Sequence, residues 1–281
     1  MAAGFAQTGR VNDQHLRAEL FRSLHTAGSP LVLVNAWDVG SARIVAAAGA
    51  RAVATTSAGV AWSRGVPDGD ALGREAAVDL VGRVAAAVPV PVTADIESGY
   101  GATPAEVGDT VRAVIAAGAV GVNVEDARHD GGAPLRDLDD QCARIAAVRA
   151  AADAAGVPVF VNARIDTVLR GAGGIAATVE RATAYLAAGA DGVFVPGLAG
   201  PEAIRDLVSA VPAPVNVMAG PGAPTVPDLA RLGVARVSLG SAVAQSAYAA
   251  ARRAADEVFG AGTYRTLGDA LDYGTLNGLM S

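Results

Sequence analysis

Residues 91 to 126 read PVTADIESGYGATPAEVGDTVRAVIAAGAVGVNVED. A proline opens a β-branched run, an alanine-rich helical stretch (105–117) follows, and A-G-A closes it before a second apolar run. Proline is tolerated as the first residue of a strand, and glycine suits the left-handed cap of the preceding helix. The stretch is therefore one β-α-β unit. The same two punctuation marks alternate from Leu31 to Gly240. Pro30 stands before LVLVNAWD, Pro158 before VFVNARID and Pro214 before VNVMAG; Gly49 stands before RAVATTS, Gly189 before ADGVFVPG and Gly233 before VARVSLGS. Interleaved, they give eight strands with helices between them. Continuous apolar strands separated by helices indicate a parallel sheet covered on its outer face, and eight such units predict a closed (β/α)₈ TIM barrel. No G-x-G-x-x-G follows the first strand, which argues against an open dinucleotide-binding sheet.

The reading outside the repeat is coarser. A first helix is expected over His15–Thr26, and a polar, glycine-rich link, AWSRGVPDGDALG, between the second and third strands has the character of a lid. The chain after Gly240 reads as helix to about Val258, then as a polar tail. Residues 1–281 are expected to form a single domain, with 241–281 a C-terminal helical extension.

Composition narrows the function. Of 281 residues, 52% are apolar and 18% charged, which suits a folded core rather than a disordered chain. The net charge of −6 argues against nucleic-acid or membrane-surface binding. A single cysteine, Cys142, cannot form an internal disulfide. The N-terminal stretch lacks the apolar region of a signal peptide and the apolar runs are short, so a cytoplasmic enzyme is expected. There is no lysine; every basic residue is arginine. Schiff-base chemistry and pyridoxal-phosphate attachment need a lysine amine and are excluded.

In such barrels the chemistry sits at the C-terminal strand ends. Asp95 and Glu97 end the third strand, Glu125 and Asp126 the fourth, and Asn162, Arg164 and Asp166 the fifth. Two residues apart on a strand, Asp95 and Glu97 are expected on one side, with Glu125 reaching in from the next strand. Converging carboxylates repel unless protonated or bridged by a cation. Oxygen-only donors favour Mg²⁺, with Mn²⁺ as the alternative. The planar fork of Arg164 suits a substrate carboxylate, or an internal ion pair with Glu125 or Asp166. The small residues after the second strand, TTSAG (55–59), offer backbone donors to an anion.

At these residues the chain resembles the isocitrate lyase/phosphoenolpyruvate mutase superfamily. D-I-E-S-G-Y-G (95–101) is similar to the family's D-x-D-x-G-Y-G metal motif, with Glu97 in place of the second aspartate. V-E-D (124–126) resembles its L-E-D, and N-A-R-I-D (162–166) its A-R-x-D/E; N-A-W-D-V-G-S-A-R (35–43) and G-V-P-D (65–68) also fit in register. The resemblance covers about Leu31 to Gly240. It implies that Asp95 binds Mg²⁺ directly while Glu97, Glu125 and Asp68 hold its waters. It implies that Arg164 binds the substrate carboxylate and that backbone at Thr56, Ser57 and Ala58 binds the other end. It also implies a homodimer or homotetramer with an exchanged C-terminal helix.

The departures bear on the reaction. The family's lyases carry a catalytic cysteine in a K-[KR]-C-G-H loop after the fourth strand, where this chain has A-R-H-D-G-G-A-P-L (127–135). Pro196 stands where the mutases have histidine on the sixth strand. The chain looks closest to cysteine-less members acting on 2-oxo acids as decarboxylases, hydrolases or lyases. The expected reaction is Mg²⁺-dependent cleavage of the C–C (or C–P) bond beside the carbonyl of a small 2-oxo or 2-hydroxy acid, through an enolate. Arg164 would orient the carboxylate, Glu125 belongs to the catalytic set, and the proton for the enolate carbon would come from water, His129 or a carboxylic acid. Asn216, with the second and fourth loops, would read the substituent beyond C3. Two alternatives remain at this stage: a phosphate-binding barrel isomerase or aldolase, suggested by A-G-P-G-A-P-T (219–225) and L-G-S-A (239–242), and a non-catalytic 2-oxo-acid binding protein.

Overall fold

Eight parallel strands form the sheet: β1 Leu31–Leu33, β2 Val53–Ala54, β3 Val92–Asp95, β4 Gly121–Glu125, β5 Phe160–Arg164, β6 Gly192–Val195, β7 Val215–Met218 and β8 Arg236–Ser238. A computed structural model describes residues 2–281, with side chains placed from residue 13 onward. The strand order is β1-β8-β7-β6-β5-β4-β3-β2. The ring closes just past the named strands, where Ala36 bridges Thr55 in parallel and the Ala36 N–H donates to the Ala54 carbonyl at 2.8 Å. The chain is a (β/α)₈ barrel with extra C-terminal helices, as the punctuation predicts.

The helices are α1 Ala2–Ser23, α2 Val39–Ala47, α3 Ser57–Ser63, α4 Arg74–Ala87, α5 Pro104–Ala116, α6 Leu138–Ala155, α7 Ile175–Ala187, α8 Pro201–Ala210, α9 Val226–Arg231, α10 Ala242–Ala261 and α11 Tyr273–Leu279. Several starts are written locally. Asp38, Thr103 and Thr225 each cap a helix with a reciprocal side-chain box, which satisfies two otherwise orphaned backbone donors. Helix α1 begins well before the expected His15 and ends at Ser23, and α3 and α11 fall where loop and polar tail are expected. Helix α3 is only seven residues long, so its own propensity is marginal. It is held by close packing: a Cβ at Gly59 would meet Trp37 Cβ at 2.8 Å, and Trp62 sits edge-on to Tyr248 with centroids 6.4 Å apart.

The two sides of the strands differ sharply. Val122, Val124, Val161, Ala163, Val193, Val195, Val217 and Val237 are buried in one apolar cluster with the helices. Strand alternation puts the residues between them inside the barrel: Thr93, Asp95, Asn123, Asn162, Arg164, Asn216, Arg236 and Ser238. The interior is thus mostly polar above a hydrophobic base. At that base α1 inserts Phe21, which meets Phe160 edge-on, while the His25 ring stacks on Phe160 at 3.9 Å. Burial drives the His25 pKa down to about 3, so the ring is neutral. Cys142 is partly buried against the core. Among the described residues no helix is long and apolar enough to cross a membrane.

Candidate active site

At the C-terminal mouth of the barrel lies a cavity of about 180 Å³. Asp95, Asp68 and Arg164 supply its charged lining, and Asn35, Thr56, Ser57, Asn123, Ser238 and Ser241 its neutral polar lining. Leu169, Phe194, Pro196 and Met218 make an apolar wall.

Asp95 ends β3, in register with Asn123 on β4. Its Oδ2 accepts the Ser57 N–H at 3.1 Å, and its own N–H donates to Thr55 Oγ1 at 2.9 Å. Desolvation raises its pKa above the usual carboxylate value, against the lowering effect of Arg164. The Thr56 N–H is taken by the Ala36 carbonyl at 3.0 Å. With the Ser57 N–H given to Asp95, the backbone donors expected at Thr56 and Ser57 are already engaged; Ala58, in the same turn, also lines the cavity.

Arg164 sits between two carboxylates. Its Nη1 lies 2.6 Å from Glu125 Oε2, and Nε and Nη2 donate to the two Asp166 oxygens at 2.7 and 2.8 Å. Desolvation works against the guanidinium charge, but Glu125, Asp166 and Asp95 outweigh it and hold its pKa above the ordinary arginine value. The internal pairing and the cavity exposure of Arg164 therefore coexist. The other Glu125 oxygen lies 2.8 Å from His129 Nε2. Arg170 Nη2 approaches His129 Nδ1 at 3.2 Å. A guanidinium only donates, so Nδ1 accepts and the ring proton sits on Nε2, facing Glu125. The hydrogen bond to Glu125 raises the His129 pKa, while burial and the Glu125–Arg164 contact pull that of Glu125 in opposite directions with burial prevailing.

Glu97 does not join Asp95 at the cavity. The strand ends at Asp95, and Glu97 has φ +50°, in the left-handed region. The two-residue alternation therefore fails to reach it, and its side chain turns toward the β2–β3 loop. Glu97 Oε2 accepts the Gly69 N–H at 2.9 Å and the Asp70 N–H, and Oε1 accepts the Tyr100 hydroxyl at 2.7 Å. Desolvation outweighs these bonds and raises its pKa to about 7. Gly69, at φ +101°, lies against the His129 ring, where a Cβ would come within 2.9 Å of Nδ1. Glu97 thus anchors the loop that carries Asp68, and that loop packs on His129.

The four acids expected around a cation are accordingly divided. Asp95 and Asp68 line the cavity; both oxygens of Glu97 and of Glu125 are occupied by protein donors. Among the described residues no group of three or more His, Cys, Asp or Glu could enclose a metal by itself. One or two carboxylates with oxygen-only neighbours still fit Mg²⁺, which keeps most of its waters and seldom takes an all-protein cage. Asn216 does not line the cavity; it lies one layer below, with Nδ2 donating to Ser238 Oγ at 3.1 Å. The loops offered as a phosphate grip line an adjoining hollow of about 450 Å³ whose lining has no basic side chain; Gly222–Pro224 also border a second hollow, with Arg205 and Arg231, away from the Asp95 cavity. Asp126, fully buried, accepts from Tyr185, Arg181 and the Asp166 N–H and is structural.

The sequence matches the profile of the family described as phosphoenolpyruvate phosphomutase over residues 21–259. The chain belongs to the isocitrate lyase/phosphoenolpyruvate mutase superfamily. It is 33% identical over 201 residues to the 2-methylisocitrate lyase of Escherichia coli K12, covering 69% of this chain and 64% of that enzyme. It superposes on a Burkholderia cenocepacia J2315 protein, provisionally described as a lyase/mutase, with TM-score 0.90 and 40% identity over 95% of this chain and 96% of that one. It also superposes on a phosphonopyruvate hydrolase in complex with oxalate and Mg²⁺, with TM-score 0.81 and 26% identity over 93% and 95% of the two chains. This superfamily comprises lyases, mutases and hydrolases of small oxo acids, and the chain is an enzyme of that kind.

The Glu97 anchor has a direct consequence. Glu97→Ala should free the β2–β3 loop and speed tryptic cleavage after Arg64 severalfold, read by peptide mass spectrometry under native conditions. An unchanged rate would show that the loop is held by something else.

Proposed function

We propose that this enzyme is an Mg²⁺-dependent lyase or hydrolase that cleaves the C–C (or C–P) bond next to the carbonyl of a small 2-oxo or 2-hydroxy acid, through an enolate. The observation that carries the reading is that Asp95 and Arg164 face one cavity of about 180 Å³. Asp95, with Asp68 beside it, would hold the ion, and Mn²⁺ is the natural substitute. When bound, the ion supplies Lewis-acid stabilisation of the oxygen that gains charge as the bond breaks. The match to a relative crystallised with oxalate and Mg²⁺ supports this choice.

The protein's own groups do the rest. Arg164 orients the substrate carboxylate; because Glu125 and Asp166 already fix its plane, little ordering remains to be lost on binding. Glu97 and Glu125 act on the site through their charge and through the loop and ring they hold, not as ligands. A proton must reach the carbon freed by cleavage. The Glu125–His129 pair holds one at Nε2, one side chain away from Arg164, and we assign it the donor role. Among the described residues Arg164 is the one basic residue of the cavity lining, and Leu169, Phe194, Pro196 and Met218 are its large apolar members. This favours a substrate with one principal carboxylate and a small apolar substituent over a tricarboxylate.

A panel of 2-oxo and 2-hydroxy acids, followed by pyruvate or CO₂ release, tests the function. Turnover should need Mg²⁺, stop with EDTA, and fall about a thousandfold or more in Asp95→Ala, the scale of several kcal/mol of lost charge stabilisation. Retained Mg²⁺-dependent turnover in Asp95→Ala would refute the site.

We also propose that the enzyme works as a homodimer or homotetramer. Of the twenty residues of α10 only Ala244 is buried, and Phe259 is 89% exposed. An apolar hollow lined by Val32, Val34, Ile44, Val45 and Val243 is open beside it. Exchange of this helix between subunits would cover both. Light scattering should give a dimer or tetramer that Phe259→Arg weakens; a monomeric wild-type enzyme would contradict the exchange.

A further inference from the structure

Arg236 opens β8 and is fully buried inside the barrel. Among the described residues it has no carboxylate within ion-pair distance. Its contacts are Nη2 to Asn123 Oδ1 at 3.2 Å and Nε to Ser238 Oγ at 3.3 Å, and Nη1 has no partner. Burial pulls its pKa down to about 9, against the charge of Asp95. A buried charge without a counter-ion is costly, and an apolar side chain of similar volume usually serves stability as well or better. The guanidinium needs another reason to be there.

The hydrogen-bond directions supply it. Arginine can only donate, so Asn123 must turn its carbonyl oxygen, and not its amide nitrogen, toward Arg236. The same oxygen also accepts from Asn162 Nδ2 at 2.9 Å. Ser238 Oγ accepts from Arg236 Nε and from Asn216 Nδ2. The acceptors of Asn123 and Ser238 are thus consumed by side chains outside the cavity lining. Both residues line the cavity, and what they have left for it is the Asn123 amide N–H₂ and the Ser238 O–H, neither of which donates elsewhere among the described residues.

We propose that Arg236 is a positioning residue that turns Asn123 and Ser238 into a donor-only floor for a negatively charged substrate oxygen. The proposal rests on the 2-oxo-acid reading of the cavity. The floor faces the same space as Arg164 and Asp95. Donors fixed in advance need no reorganisation when charge develops, which is where such groups contribute most. Arg236 does not touch the substrate; it sets the direction of two groups that do, and its buried charge raises the positive potential beneath them.

The test uses oxalate, a planar dianion shaped like a pyruvate enolate, titrated by calorimetry into the full-length enzyme with Mg²⁺, beside thermal unfolding. Arg236→Met should weaken oxalate binding about 10- to 100-fold, somewhat below the loss from removing a direct oxyanion donor, while the melting temperature holds or rises. Arg236→Lys, which keeps the charge, should recover part of the affinity. Ser238→Ala should weaken binding on its own and add little to Arg236→Met, because the two act through one network. Wild-type oxalate affinity in Arg236→Met, with a lowered melting temperature, would reduce Arg236 to a structural residue and overturn the proposal. Should Arg236→Met fail to fold, Ser238→Ala decides, and wild-type affinity there overturns it. A wild-type enzyme that binds no oxalate overturns instead the 2-oxo-acid reading on which the floor depends.

Discussion

A guanidinium taken out of water is held most firmly when carboxylates meet its donors on more than one edge. Arg164 meets that condition, with Glu125 on one edge and Asp166 on another. The clamp organises its neighbours in turn. Glu125 spends its second oxygen on His129, the Asp166 N–H donates to Asp126, and Asp126 is itself gripped by Tyr185 and Arg181 from α7. The barrel mouth is therefore tied to the outer helices by one chain of charge-assisted bonds. Removing one partner of such a buried set leaves an uncompensated charge, which typically costs about 3–5 kcal/mol. The site and the stability of this side of the barrel share that network.

Two cations of opposite design stand at the cavity, one in its lining and one beneath it. Arg164 is neutralised and reaches the lining, whereas Arg236 is unpaired and lies beneath it. A neutralised arginine offers geometry, and an unpaired one offers potential. Asp95 feels the charge of both, and burial nevertheless raises its pKa above the usual carboxylate value. Under the proposed function, a hard divalent ion at Asp95 would relieve that tension.

The barrel was legible because its punctuation is local. Proline fixes φ wherever it stands and glycine permits the left-handed φ of a helix cap, so Pro91, Gly118 and their equivalents mark the elements without knowledge of the tertiary fold. The features that were not legible depend on distant contacts. Helix α3 exists because Gly59 packs on Trp37 and Trp62 on Tyr248, contacts that no local pattern encodes. Glu97 leaves the cavity because the chain turns into the left-handed region right after Asp95; the Gly99 and Gly101 that follow were a signal of that turn. Asp68 entered through family likeness, and the structure puts it in the cavity lining. Arg236 stands at the beginning of its strand, where no chemistry is expected from the barrel rule, and it matters through the partners it orients. Asn216 was placed at the right strand but one layer too high.

Under the proposed function, Asp95 is the point where the divalent ion meets the protein. Crystals grown with Mn²⁺ and oxalate, measured at a wavelength where manganese scatters anomalously, test it without relying on any assay of turnover. One strong anomalous peak is expected inside the cavity, in contact with the Asp95 carboxylate and on the same side as Arg164. A cavity without such a peak, or manganese seated away from Asp95, would contradict it.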